Sequence, residues 1–370
     1  MTSSRHHLLN HNLQSLNAWL LSRNQPPYRA MQILSWIFKR RVFDFAAMTD
    51  LPAELREALD SHFEICLPQV VRVAGSSDST RKFLLRLADG QLIETVLIPA
   101  SPALCGERSD RLTLCISSQV GCAYGCKFCA SGLDGWRRNL QPQEIIAQLL
   151  AVEKTTNSKV SNIVFMGMGE PFANYENLMA AIENLNATWG ANIGARHMTV
   201  STSGLVPRIR DFARQPLQVR LAVSLHGATD EVRNQIMPIN RKYPLAELLE
   251  ACREFCLLKK QFLTLEYILI EGLNDSSEQA AKLASHVKRL RAKVNLIPYN
   301  SVEGLPWKRP SNAHQRAFLQ ILHKHGVAAT LRTEKGHDIA AACGQLRLQM
   351  VQTKETSHSE SLGASQTVAK

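Results

Sequence analysis

Thr113-Leu114-Cys115-Ile116-Ser117-Ser118-Gln119-Val120-Gly121-Cys122-Ala123-Tyr124-Gly125-Cys126-Lys127-Phe128-Cys129 is the stretch that decides the fold. Its first part belongs to a strand over Leu112–Ser117, and its second is a cysteine-bearing loop built from small residues. A helix over Pro142–Thr155 follows, so the stretch opens a strand–helix unit. The pattern then repeats. Further strands are predicted over Asn162–Met166, His197–Thr202, Val219–Leu225, Leu263–Ile270, Val294–Pro298 and Ala328–Thr333. Helices are predicted between them over Tyr175–Thr188, Pro207–Ala213, Asp230–Ile236, Pro244–Leu257, Ser276–Leu290 and Asn312–His325. Repeated units of this kind imply a parallel α/β sheet with right-handed crossovers. About six units are too few for a closed eight-fold barrel, so a partial (β/α)6 barrel is expected, with ligands at the C-terminal strand ends.

Upstream the pattern differs. Leu13, Leu16, Trp19 and Leu20 repeat at helical spacing, as do Met31, Leu34, Ile37 and Phe38 after the Pro26-Pro27 break. Asp50-Leu51-Pro52 reads as an N-cap before another helix. Strands are predicted over Val70–Val73, Phe83–Leu87 and Ile93–Ile98, with Asp89-Gly90 as a hairpin turn. The expected organisation is a small N-terminal helical-plus-strand domain over 1–105, a catalytic core over 106–350 and a disordered Ser/Thr/Lys/Glu-rich tail over 351–370. Residues 100–110 make a long polar link.

Composition narrows the function. There is no run of about 18 apolar residues, so no membrane span is expected. The N-terminus has no apolar signal core, which predicts a cytoplasmic protein. Lys and Arg number 43 against 32 Asp and Glu, a net charge of +11 that suits a polyanionic partner such as nucleic acid. The cysteine count of 9 is odd, and the crowding of Cys122, Cys126 and Cys129 points to metal or catalysis rather than a disulfide framework.

CxxxCxxC in one loop can hold three corners of an iron–sulfur cubane, with Gly121 and Gly125 allowing tight turns. The missing fourth protein ligand would leave one iron open to a chelating molecule, a role that the amino and carboxylate groups of S-adenosylmethionine (SAM) can fill. The competing reading is a structural zinc site, which would need a fourth protein ligand at suitable spacing.

The cysteine loop, with an aromatic residue before its last cysteine, and Gly167-Met168-Gly169-Glu170-Pro171 after the second barrel strand resemble the radical SAM superfamily. Ser201-Thr202-Ser203-Gly204, Ser224-Leu225-His226, Asn295-Leu296-Ile297-Pro298-Tyr299-Asn300 and Ala341-Ala342-Cys343-Gly344-Gln345-Leu346 narrow this. From about residue 13 to 350 the chain is similar to the RlmN-type RNA methyltransferases. The resemblance implies a [4Fe-4S] cluster on Cys122, Cys126 and Cys129, and SAM contacts from Gly169, Glu170, Ser201, Ser224, Leu225, His226 and Asn300. It implies methylation of carbon 2 of adenosine in 23S rRNA and tRNA, with two SAM molecules used per turnover. In that scheme Cys343 accepts a methyl group from one SAM, and a radical derived from the second activates it for addition to the base. Cys115 would be the resolving thiol and Glu94 the proton acceptor. An electron donor such as flavodoxin or ferredoxin is implied, and a monomer is expected.

Read without the resemblance, Cys343 is a small buried hydrophobe, Cys115 a strand-core thiol and Glu94 an outward strand carboxylate. Lys39-Arg40-Arg41, Trp136-Arg137-Arg138 and Trp307-Lys308-Arg309 are candidate RNA contacts or solvated basic faces. Rival readings are a Cfr-type enzyme acting on carbon 8 of adenosine, another radical SAM enzyme with a different substrate, and a zinc-bearing RNA-binding protein.

Overall fold

The computed structural model describes residues 5–100, 111–133, 135–302, 304–332, 335–342 and 344–346. Cys343, the expected domain boundary at 105 and the expected tail over 351–370 lie outside them.

Strand β1 (His6–His7), helices α1 (Leu13–Leu21), α2 (Tyr28–Phe38) and α3 (Ala53–His62), and strand β2 (Phe63–Glu64) form the N-terminal unit, with β1 and β2 paired in parallel. The apolar stripes read from the sequence close on one another, and Leu16, Leu20, Ile33, Ile37, Leu55 and Leu59 are all buried. Asp50 does not cap α3. Its carboxylate accepts from Trp36 Nε1 at 2.5 Å, and the helix starts directly after Pro52 with no side-chain cap. Proline suits that place because its ring presets φ and it adds no donor to satisfy.

Strands β3 (Gln69–Gly75), β4 (Arg81–Arg86) and β5 (Leu92–Pro99) form an antiparallel meander. The β4–β5 turn carries Gly90 at φ +83°. β5 then pairs antiparallel with β6 (Leu112–Cys115), so the N-terminal strands continue the barrel sheet. Strands β7 (Gln119–Gly121) and β8 (Trp136–Asn139) form a separate short antiparallel ribbon.

The barrel proper runs on in parallel from β6 through β9 (Asn162–Phe165), β10 (Met198–Thr202), β11 (Arg220–Ser224), β12 (Leu263–Leu269), β13 (Ala292–Pro298) and β14 (Ala329–Leu331). The crossovers carry α4 (Pro142–Thr156), α5 (Tyr175–Asn186), α6 (Val206–Arg214), α7 (Asp230–Ile236), α8 (Leu245–Lys259), α9 (Ser277–Lys288) and α10 (Asn312–Lys324). β3 and β14 are the two edges of one ten-stranded sheet, so the barrel is open. Local chemistry sets the helix ends. α4 begins with Pro142 and a Gln141/Glu144 capping box and ends at Asn157 in the left-handed region. The Ser276 side chain caps α9. Among the described residues, no helix is long and apolar enough to cross a membrane.

Candidate active site

The cysteine loop is pinned at its base. β7 and β8 pair across it, and Cys122 N donates to Gly135 O at 3.0 Å. Gly121 sits at φ +75°, where an added Cβ would lie 1.9 Å from Gly135 O, so no other residue fits. Lys127 N donates to Ile236 O at 3.0 Å, tying the loop to the end of α7. Cys122, Cys126 and Cys129 then line one cavity together with Gly169, Glu170, Ser201, Ser224 and His226.

Burial pushes the Cys122 thiol up to about 12. Burial also raises the Cys126 thiol well above its ordinary value, reinforced by the neighbouring thiols and opposed by Arg233. Such thiols stay protonated until a metal displaces the proton. Among the described residues, no trio of His, Cys, Asp or Glu converges on a single-ion position. A cubane instead places each thiolate on its own iron, and three thiols around one cavity match that donor set.

The Gly167–Glu170 turn lines the same cavity. Gly169, at φ +101°, leaves no room for a side chain, since a Cβ would lie 2.6 Å from Gln119 Cβ. Gln119 Oε1 accepts from the Glu170 amide at 2.8 Å. The Glu170 carboxylate accepts from Phe172 N at 3.0 Å and from Ser203 N at 2.7 Å. Burial raises this carboxyl group, and the hydrogen bonds from Ser203 and Phe172 oppose the rise.

His226 follows β11 at φ +57° and packs edge-on against Phe128 of the cysteine loop. Its Nδ1 faces the Ile268 amide at 3.0 Å and accepts from it, so the ring proton resides on Nε2. Burial holds the imidazole neutral, down to about 3. Leu225 is buried beside it. Its amide donates to Glu266 O, and its carbonyl accepts from Arg233 Nε at 3.1 Å.

Arg233 was not evident in the sequence, where it is one cation in an ordinary amphipathic helix. It is fully buried. Nη2 donates to Ser203 O at 2.6 Å and Ser224 O at 3.3 Å, and Nη1 donates to Asn240 Oδ1 at 2.7 Å. One guanidinium thereby joins the ends of β10 and β11. Glu266 and Arg332, also unanticipated, line the same cavity.

A second cavity adjoins the first, sharing Met166, Ile297, Arg332 and Gly344. Cys115 and Asn300 line it, as do Ala341, Ala342 and Gly344, the residues on either side of position 343. The chain past position 343 is anchored on the cysteine loop, with Ala130 N donating to Gly344 O at 2.7 Å and Ser131 Oγ to Leu346 O at 2.8 Å. Asn300 therefore lines the cavity of Cys115 rather than the cysteine-lined one.

Glu94 lies on β5 with 4% exposure, paired with Lys82 Nζ at 3.1 Å. It is not outward-facing, and it lines a neighbouring groove with Asp338, Ile339 and Ala340. Several basic candidates are engaged internally. Arg41 pairs with Glu153, Arg138 with Glu144 and Asp89, and Arg309 donates to Tyr299 O. Trp136 and Arg137 remain exposed beside the loop.

An open parallel barrel with three thiols after its first strand and a Gly-Glu turn after its second defines the radical SAM class, and the radical SAM superfamily model matches residues 116–284. The ribosomal RNA large subunit methyltransferase N-terminal domain model matches residues 6–65. Over 341 residues the chain is 53% identical to a probable dual-specificity RNA methyltransferase RlmN of Akkermansia muciniphila, covering 92% of this chain and 95% of that one. It is 52% identical over 358 residues to a probable RlmN 3 of Opitutus terrae, covering 94% and 96%. The crystal structure of a radical SAM methyltransferase from Sphaerobacter thermophilus superposes with a TM-score of 0.86 at 44% identity, covering 92% of this chain and 99% of that one. The chain belongs to the RlmN family of radical SAM methyltransferases.

Proposed function

We propose that this enzyme methylates carbon 2 of adenosine in 23S rRNA and tRNA, with Cys343 carrying the methyl group as S-methylcysteine. The observation that supports this most is the pair of adjoining cavities. One is lined by the three cysteines and the Glu170 turn, the other by Cys115 and the neighbours of position 343.

In this reading Cys122, Cys126 and Cys129 hold three irons of a [4Fe-4S] cluster. Gly169, Glu170, Ser201, Ser224, Leu225 and His226 bind SAM, joined by Asn300 from the adjoining cavity, with two molecules used per turnover. The bound cluster and SAM supply one-electron reduction and the radical that removes a hydrogen atom. A radical route is needed because an adenine ring carbon is too weak a nucleophile for ordinary methyl transfer. Cys343 is the thiolate that accepts the methyl group and presents it. Glu94 accepts the proton lost from the base. Cys115 closes a transient disulfide with Cys343 as product leaves.

The 1–105 domain contacts RNA, and exposed Trp136 and Arg137, shortly after the cysteine loop in the chain, offer an aromatic and a cation on which a flipped base would stack. The enzyme acts in the cytoplasm as a monomer, fed by flavodoxin or ferredoxin. The test is anaerobic reconstitution with iron, sulfide, SAM, reductant and total RNA, followed by nucleoside mass spectrometry. The expected product is 2-methyladenosine. 8-Methyladenosine, or no methylated adenosine from iron-loaded enzyme, would overturn the reading.

A further inference from the structure

The segment over 335–342 leads into Cys343 and is gripped from one side by the β3–β4 hairpin. Asp78 Oδ2 accepts from Gly336 N at 2.9 Å. Asp338 answers in the other direction, accepting from Ser76 Oγ at 2.5 Å and from Ser77 N at 3.1 Å. Lys82 Nζ donates to Ala340 O at 3.1 Å, and the same ammonium pairs with Glu94 Oε1 at 3.1 Å.

The segment would not take this path unaided. Ala340 carries a Cβ yet sits at φ +49°. Gly336 sits at φ +67°, where a Cβ would lie 2.9 Å from Ala341 Cβ and 3.0 Å from Thr80 Cγ2. A non-glycine residue in the left-handed region persists only where its surroundings impose it. Here the hairpin supplies that constraint, through the Asp78 carboxylate, the Lys82 ammonium and the Ser76 and Ser77 donors that hold Asp338. The ammonium is 12% and its carboxylate partner 5% exposed, so solvent screens the pair little. The bonds come in series along the segment, at 336, 338 and 340, directly before the residue that carries the chemistry.

We propose that the β3–β4 hairpin is a clasp that positions the Cys343-bearing segment over the cavity lined by Cys115, with Lys82 tying that segment to the Glu94 carboxylate. The proposal rests on Cys343 being the methyl carrier. Lys82, Asp78 and Asp338 are positioning residues. They act through the segment and are not among the residues that line the Glu170 and His226 cavity.

The test is hydrogen exchange by mass spectrometry on reconstituted holoenzyme, read at the Gly336 and Ala341 amides, alongside turnover kinetics. Asp338→Ala and Ser76→Ala should speed exchange there by about tenfold, the effect of losing one charge-assisted hydrogen bond. Turnover should fall while KM for SAM stays unchanged. Lys82→Arg, which keeps charge and donors, should retain more turnover than Lys82→Met. Unchanged exchange in the Asp338 and Ser76 variants, or fast exchange with undiminished turnover, would overturn the clasp. Cys343→Ala separates the two claims. Product formation in that variant would sink the methyl-carrier reading, whereas the exchange experiment reports on the clasp alone.

Discussion

The Glu170 carboxylate accepts a hydrogen bond from the Ser203 backbone amide at 2.7 Å, so a side chain after β9 closes the end of β10. The contact makes Glu170 structural as well as a candidate ligand for the SAM ammonium group. Glu170→Ala would strand the buried Ser203 and Phe172 amides and should destabilise the protein by about 3 kcal/mol in urea unfolding. Glu170→Gln keeps an acceptor. It should unfold near the wild-type midpoint yet bind SAM more weakly in equilibrium binding. Equal loss of stability in both variants would argue against this division of roles.

His226 gives a pH signature. Its folded-state pKa of about 3 lies below the ordinary 6.5, because burial disfavours the imidazolium. The unfolded chain gains a proton below pH 6.5 that the folded chain refuses, so stability present above that pH is lost as pH falls towards 3. About 2 kcal/mol of that loss should fall between pH 7 and pH 5. Urea unfolding of the wild type and of His226→Gln over this range should show a shallower slope in the variant. Parallel slopes would contradict the assignment.

Arg233 bridges the ends of β10 and β11 through the carbonyls of Ser203 and Ser224. Burial lowers its guanidinium to about 10, leaving it charged at neutral pH. Arg233→Met would leave these carbonyls and Asn240 without their donor and should cost at least about 3 kcal/mol. Arg233→Lys should rescue only part of this, because a point charge cannot replace a planar fork. Thermal denaturation of both variants would check the order.

Gly121→Ala tests the base of the cysteine loop. With Gly135 O at 1.9 Å from the added Cβ, the β7–β8 pairing must open. Iron bound per chain after anaerobic reconstitution should fall well below wild type, while far-ultraviolet circular dichroism stays unchanged. Full iron loading would show that the ribbon does not shape the loop.

What could be read from sequence followed how local each signal was. The barrel strands around Ile163–Phe165 and Leu263–Ile270 are apolar runs between amphipathic helices, and each run lies where periodicity predicts. The cysteine spacing and the Gly-Glu turn are equally local. Glu94 looked outward because period-2 alternation cannot see Asp338–Ala340 lying across its face. Arg138 read as an RNA contact or part of a solvated basic face, but Asp89 reaches it across 49 residues of sequence. Arg233 carried no signal, since its partners lie on two other strand ends. The β7–β8 ribbon escaped notice because a three-residue strand has too few positions to show alternation.

The central claim is that Cys343 carries the methyl group. Wild-type holoenzyme incubated with SAM bearing a deuterated methyl group should yield a peptide containing labelled S-methyl-Cys343 by mass spectrometry, and Cys343→Ala should form no labelled adenosine. Labelled product from Cys343→Ala would contradict the account.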